Sequence, residues 1–167
     1  MNEDDAFELL RKYNVPYSVV RHSVAVKNLV LKILERVKIP VNKDIVILGA
    51  LLHDIGRAKT NDIRHGYIGA EILRKEGVPE EVAKIAERHV GSGITKEEAY
   101  KFGMPERDYI PESPEEKIVA YADNLIDDTK EISEKEFLNK MKKKFGTSAS
   151  AYILSVKLIQ EIKKMMR

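Results

Sequence analysis

Apolar residues along this chain recur three and four positions apart, and seldom two apart. That is the period of helices burying one face, and it leaves little room for a sheet, whose buried positions alternate. Helix-start signals fall where the apolar stripes begin. Ser113-Pro114-Glu115-Glu116 combines a cap serine, a proline at the first helical position and a glutamate three residues after the cap. Thr95 with Glu98 and Ser133 with Glu136 repeat the capping-box spacing, and Pro79-Glu80-Glu81 opens another helix. Gly77, Gly103 and Gly146 stand where helices should stop. Together these signals predict nine helices, over 3–13, 16–37, 43–56, 65–76, 79–92, 95–103, 114–130, 133–145 and 148–166. No run reads as a strand, so the expected fold is an all-α bundle. The stretch Gly91–Ser113 interrupts the pattern with Gly91, Gly93, Gly103, Pro105 and Pro111. It reads either as a cover over a site or as a plain surface connection with a short helix.

A length of 167 residues suits one domain with a real core. Charged residues are 34% of the chain and nearly balanced in sign, for a formal charge of +2, too small a surplus to argue for nucleic acid or an anionic membrane. The basic strip Lys140–Lys144, with Met141 and Phe145, and the tail Lys163–Arg167 read as solvated faces of amphipathic terminal helices. There is no cysteine, which excludes thiolate zinc sites, disulfides and cysteine nucleophiles. No secretion signal opens the sequence, and the longest apolar run, Ile45–Leu52, is too short to span a bilayer. The expectation is a cytoplasmic protein.

That run ends on His53-Asp54. Taken alone, a histidine on an apolar helix face is usually a satisfied core residue. Here all four invite the same question. His22 begins a face continued by Val26, Leu29 and Ile33, and His89 closes one formed by Val82, Ile85 and Ala86. His65 precedes Ile68, Gly69 and Ile72 at inward spacing. Asp123 lies among Ile118, Val119, Ala122, Leu125 and Ile126, where an unpaired carboxylate is costly. Asp127 and Asp128 read as a solvated helix end, although Asp127 is one turn from Asp123. Neutral imidazoles with carboxylates suit a divalent transition metal such as Mn, Fe, Co, Ni or Zn. One shared interior site explains the whole set with the fewest assumptions.

The ordered set His22, His53-Asp54 and Asp123 resembles the H…HD…D signature of the HD-domain superfamily of metal-dependent phosphohydrolases, over roughly residues 21–128. "HDIGR" at 53–57 and "ADN" at 122–124 match its second and last motifs, while "RHGYIGAEIL" at 64–73 and "RHVGSG" at 88–93 resemble the added histidine motifs of the two-metal subgroup. Bacterial HD hydrolases of diadenosine tetraphosphate carry a similar run. The resemblance implies one HD-type helical domain over 1–167, with helices 133–166 packed on the motif core. It implies one metal on His22, His53, Asp54 and Asp123, with Asp54 bridging to a second ion on His65 and His89. Arg57 stands where HD 5′-nucleotidases carry glutamate and the dinucleotide hydrolases commonly lysine, and the adjacent histidine pair of cyclic-di-GMP-cleaving relatives is absent.

The expected activity is hydrolysis of a phosphoester or phosphoanhydride, on a nucleotide or dinucleotide polyphosphate, by metal-activated water. Asp54 and Arg57 are the expected catalytic residues, with Arg57, Lys59 and Asn124 as candidate substrate contacts. Gly69 and Gly91 are candidates for close helix approach or backbone contact with the site. Two rival classes share the same ligands. A nucleotide-sensing module binds tightly and turns over little, and a di-iron oxygenase-like protein requires iron and takes up oxygen.

Overall fold

The computed structural model describes all 167 residues, Met1–Arg167. Nine α-helices are present: α1 (Glu3–Lys12), α2 (Tyr17–Arg36), α3 (Lys43–Leu52), α4 (His65–Lys75), α5 (Glu80–Arg88), α6 (Lys96–Lys101), α7 (Pro114–Asn124), α8 (Glu134–Phe145) and α9 (Ser150–Met165). The axis of the bundle is α3. It is apolar on nearly every side because it is surrounded: α1, α2, α5 and α7 all pack against it. One continuous core runs from Leu9 and Leu10 through Leu51, Leu73 and Ile118 to Leu158 and Ile162. α9 thereby covers α7, as the apolar spacing of both helices requires. No helix is long and apolar enough to cross a membrane.

Three helices stop earlier than their stripes suggest. α3 ends at Leu52 and gives way to a single 3-10 turn, Ile55–Ala58. The cause is tertiary: at Gly56 a Cβ would collide with the backbone carbonyl of His65 and lie 2.8 Å from the Gly69 nitrogen. Only glycine lets the 3-10 turn sit directly on α4, and this contact sets how closely Asp54 approaches His65. α5 stops at Arg88 rather than 92, leaving His89 as its C-cap. Gly66 does for α4 and α5 what Gly56 does for the turn, since a Cβ there would be 2.8 Å from the Ala86 carbonyl oxygen.

The expectation of no strand needs one correction. α7 ends at Asn124, and a two-residue hairpin follows, β1 (Ile126–Asp127) with β2 (Lys130–Glu131), antiparallel. Asp128 turns the chain with φ +58°, a left-handed conformation that Asp tolerates better than most residues. The 91–113 segment is no plain connection. Its ends are tied by reciprocal backbone hydrogen bonds between Ile94 and Tyr109, 3.0 and 2.8 Å, and it buries Ile94, Ala99, Met104 and Tyr109 in a small core of its own. Within it α6 begins on the Thr95–Glu98 capping box.

Candidate metal centre

Five helices deliver the six residues to one place. α2 carries His22 on its inward face, α4 begins with His65, and α7 carries Asp123 one residue before its end. His53 and His89 are the C-caps of α3 and α5, and Asp54 follows at once. A helix end lets a side chain leave the cylinder toward a shared centre, which adjacent mid-helix residues, roughly 100° apart, do not do easily.

The histidines are held in one way. His53 Nδ1–H donates to the Ala50 carbonyl, His65 to Asp62 and His89 to Ala86, at 2.7, 2.8 and 2.7 Å, each three residues back. His22 Nδ1–H donates to the Asp128 carbonyl, 2.6 Å. A carbonyl accepts only, so all four Nδ1 atoms bear the hydrogen and, in the neutral rings, all four Nε2 atoms are lone-pair acceptors.

Those bare nitrogens converge on the carboxylates. Asp123 Oδ1 is 2.7 Å from His22 Nε2 and 3.3 Å from His53 Nε2. Asp54 divides its oxygens. Oδ2 lies 3.6 and 3.4 Å from the Nε2 atoms of His22 and His53, and Oδ1 lies 3.3 and 3.1 Å from those of His65 and His89. The result is two overlapping clusters, His22–His53–Asp54–Asp123 and Asp54–His65–His89, each with donor atoms within 4.8 Å of one another. His65 Nε2 is only 3.1 Å from His89 Nε2, with no donor between them. Acceptors facing acceptors inside a protein call for protons or cations, so the donor set fits divalent metal ions on this geometry alone.

Charge follows the same logic. Burial opposes ionisation of Asp54, but the His53 charge and hydrogen bonds from the surrounding imidazoles outweigh it and hold the carboxyl well below the usual range. Asp123 is likewise lowered, by His53 and His22 against burial. Burial disfavours charge on His53 and His22 too, yet the two carboxylates prevail and raise both rings. At His89 burial wins and the pKa falls.

An opening of about 190 Å³ leads in, lined by Ser18, Val19, His22, Asp54, Arg57 and Asp128. Arg57 Nε lies 3.3 Å from Asp54 Oδ1. Lys59 is not among the lining residues; its ammonium sits 5.9 Å from the centre of the Tyr13 ring. Asn124 also points elsewhere. Its Nδ2 donates to Ser92 Oγ (3.0 Å), Ser92 to Ser155 Oγ (2.8 Å), and Ser155 to the Ala151 carbonyl (2.7 Å), a chain that ties α7 to α9. Asp127 is exposed and pairs with Lys140 at 2.8 Å, away from the centre. Ser18 and Asp128 were not among the expected site residues. Ser18 was discoverable, being four residues before His22 and so on the same face of α2. Asp128 acts through its backbone carbonyl, which leaves no trace in residue type.

A family model described as HD domain matches residues 19–128. An uncharacterized protein of Methanocaldococcus jannaschii is 44% identical over 153 residues, covering 90% of each chain. A tRNA (cytidine(56)-2′-O)-methyltransferase of Picrophilus torridus is 43% identical over 143 residues, which are 86% of this chain but 41% of that protein. The chain thus spans about two fifths of the methyltransferase's length. The HD domain of L. monocytogenes phosphodiesterase PgpH, in complex with cyclic-di-AMP, superposes with a TM-score of 0.56 over 94% of this chain and 96% of that one, at 21% identity. The last likeness is one of fold.

Proposed function

Because the chain belongs to the HD domain family, we propose that it is a metal-dependent phosphohydrolase acting on a phosphoester or phosphoanhydride bond of a nucleotide. One observation carries the reading: four imidazoles, each anchored through Nδ1 to a backbone carbonyl, turn their Nε2 atoms onto two ionised carboxylates. His22, His53, Asp54 and Asp123 would hold one ion, and His65 and His89 a second that shares Asp54. Divalent ions so held supply an acidified water and neutralise charge on phosphoryl oxygens.

The chain's own groups do the rest. Arg57, steadied by Asp54 at 3.3 Å, lines the opening, and its remaining N–H groups would bind phosphoryl oxygens there. The Ser18 hydroxyl, one turn before His22, offers another donor on the same wall. Asp54 and Asp123 stay ionised across the neutral range because the surrounding imidazoles depress them, so they remain anionic ligands. An opening of about 190 Å³ is smaller than the ~300 Å³ of ordinary ligand pockets. It admits the reacting phosphoryl group and leaves the remainder of the substrate to other surfaces. A nucleotide as substrate agrees with the cyclic-di-AMP bound by the PgpH domain.

The test is metal analysis of the purified protein, then a hydrolysis screen of nucleotides and dinucleotides with Mn, Fe, Co and Ni. Turnover should require metal. Asp54→Ala should lose both ions and all turnover, and Arg57→Ala should keep the metal while KM rises. Full activity in Asp54→Ala, or none with any substrate in the metal-loaded protein, ends this reading.

A further inference from the structure

Two sequence features are left unexplained by the metal centre: the Gly91–Ser113 segment and the strip Met141–Phe145. They meet. Between them lies a cavity of about 430 Å³, closed on one side by the loop after His89 and by α6, on the other by the end of α8 and the start of α9. His65 belongs both to its wall and to the metal cluster.

We propose that this cavity is the subsite for the nucleobase of the substrate, an inference that rests on the phosphohydrolase reading above. Its size falls in the ~300–1,000 Å³ range of small-molecule sites, unlike the opening beside Arg57. Its lining suits a flat aromatic ring with polar edges. Phe102 and Phe145 stand on it 47% and 46% exposed, with Met141 beside them. Half-exposed phenyl rings are surfaces on which a base stacks whatever its identity. The Glu98–Ser150 pair, hydrogen-bonded at 3.0 Å, supplies polar groups for the ring edge, and Lys144 adds a cation for a substrate that carries phosphate. The shared His65 places the base subsite beside the cluster Asp54–His65–His89. The 91–113 segment then covers a substrate pocket, and its small core around Tyr109 keeps that cover rigid.

The experiment uses the full chain loaded with Mn and measures binding of AMP and of inorganic phosphate by calorimetry. Two variants are compared with the wild type: Phe102→Ala/Phe145→Ala, which removes the stacking rings, and Ala151→Leu, which fills the cavity without removing any contact. Each should weaken AMP binding about tenfold or more. Each should leave inorganic phosphate binding, metal content and the cooperative melt unchanged. If AMP binds the variants as it binds the wild type, or binds the wild type no tighter than phosphate, the subsite is overturned while the metal centre stands. A wild-type protein that takes up neither metal nor phosphate overturns the parent reading, and the subsite with it.

Discussion

Each histidine commits one ring nitrogen to the backbone and turns the other to the centre, so protons and the proposed metal ions would compete for the same four atoms. The competition is uneven. Without metal, Asp123 and Asp54 raise His22 and His53 above the ordinary 6.5 despite their burial, whereas burial lowers His89 below it. Near neutral pH an ion entering the His22–His53 cluster must displace protons, and as pH rises through the raised histidine values that cost disappears. Affinity of the first cluster therefore climbs with pH, up to about tenfold per unit for each proton displaced. The two aspartates, held low, add no pH dependence there. Calorimetric titration with Mn or Zn between about pH 6 and 8 measures the slope. A flat profile would mean that His22 and His53 do not ligate.

At the scale of elements, glycines decide whether the ligands meet. The Gly56 turn rests on the His65 carbonyl, and Gly66 rests on the Ala86 carbonyl, itself the anchor of His89. Gly56→Ala forces the turn and α4 apart. Overpacking of this kind costs about 1–3 kcal/mol, and the separation acts directly on the pair Asp54–His65. The variant should melt lower and lose the second ion before the first, as read by metal stoichiometry against a thermal scan. Equal loss of both ions would show that the turn does not set the Asp54–His65 distance. None of this was legible in the sequence, because a glycine in a helix or turn does not say which backbone it will meet. The residues that converge on the centre were legible for the opposite reason. His22 and Asp123 each lie on an apolar stripe, and a polar residue at an inward position asks for a partner. The end of α7 was hidden because Leu125 and Ile126 are buried and continue its stripe into β1. Periodicity marks which residues face inward and is blind to a hairpin that keeps them there. The 91–113 segment was legible as an interruption, and its cavity was not, since Phe102 and Phe145 come together only through the return of α8 and α9.

For the whole molecule, metal held at these clusters would be a clamp on five helices at once. α2, α3, α4, α5 and α7 all bring a member of the two clusters, directly or at a cap, so on the proposed reading unfolding any of them would release an ion. A ligand that binds only the folded state stabilises it by RT ln(1 + [L]/Kd), about 4 kcal/mol at a thousandfold excess over Kd. At about 2–4 °C per kcal/mol for a chain of this size, melting should rise by roughly 8–16 °C when metal is added to chelator-stripped protein. The gain should also depend on pH. In the stripped protein His22 and His53 have raised values, so their contribution is complete below about 6.5 and is lost as pH rises through those values. Asp54 and Asp123 have lowered values, so theirs is present above about 3.8 and lost as pH falls through the depressed values. His89, lowered by burial, opposes its neighbours and favours the higher pH. His22, His53, Asp54 and Asp123 therefore stabilise the stripped bundle most in the mildly acidic range, where imidazolium stands in for metal. The metal-bound bundle has no such limit on the alkaline side. The melting gain at pH 8 should exceed the gain at pH 6, and scans at matched free metal would show it. A gain that shrinks with rising pH would mean that the protons and the metal do not share these atoms.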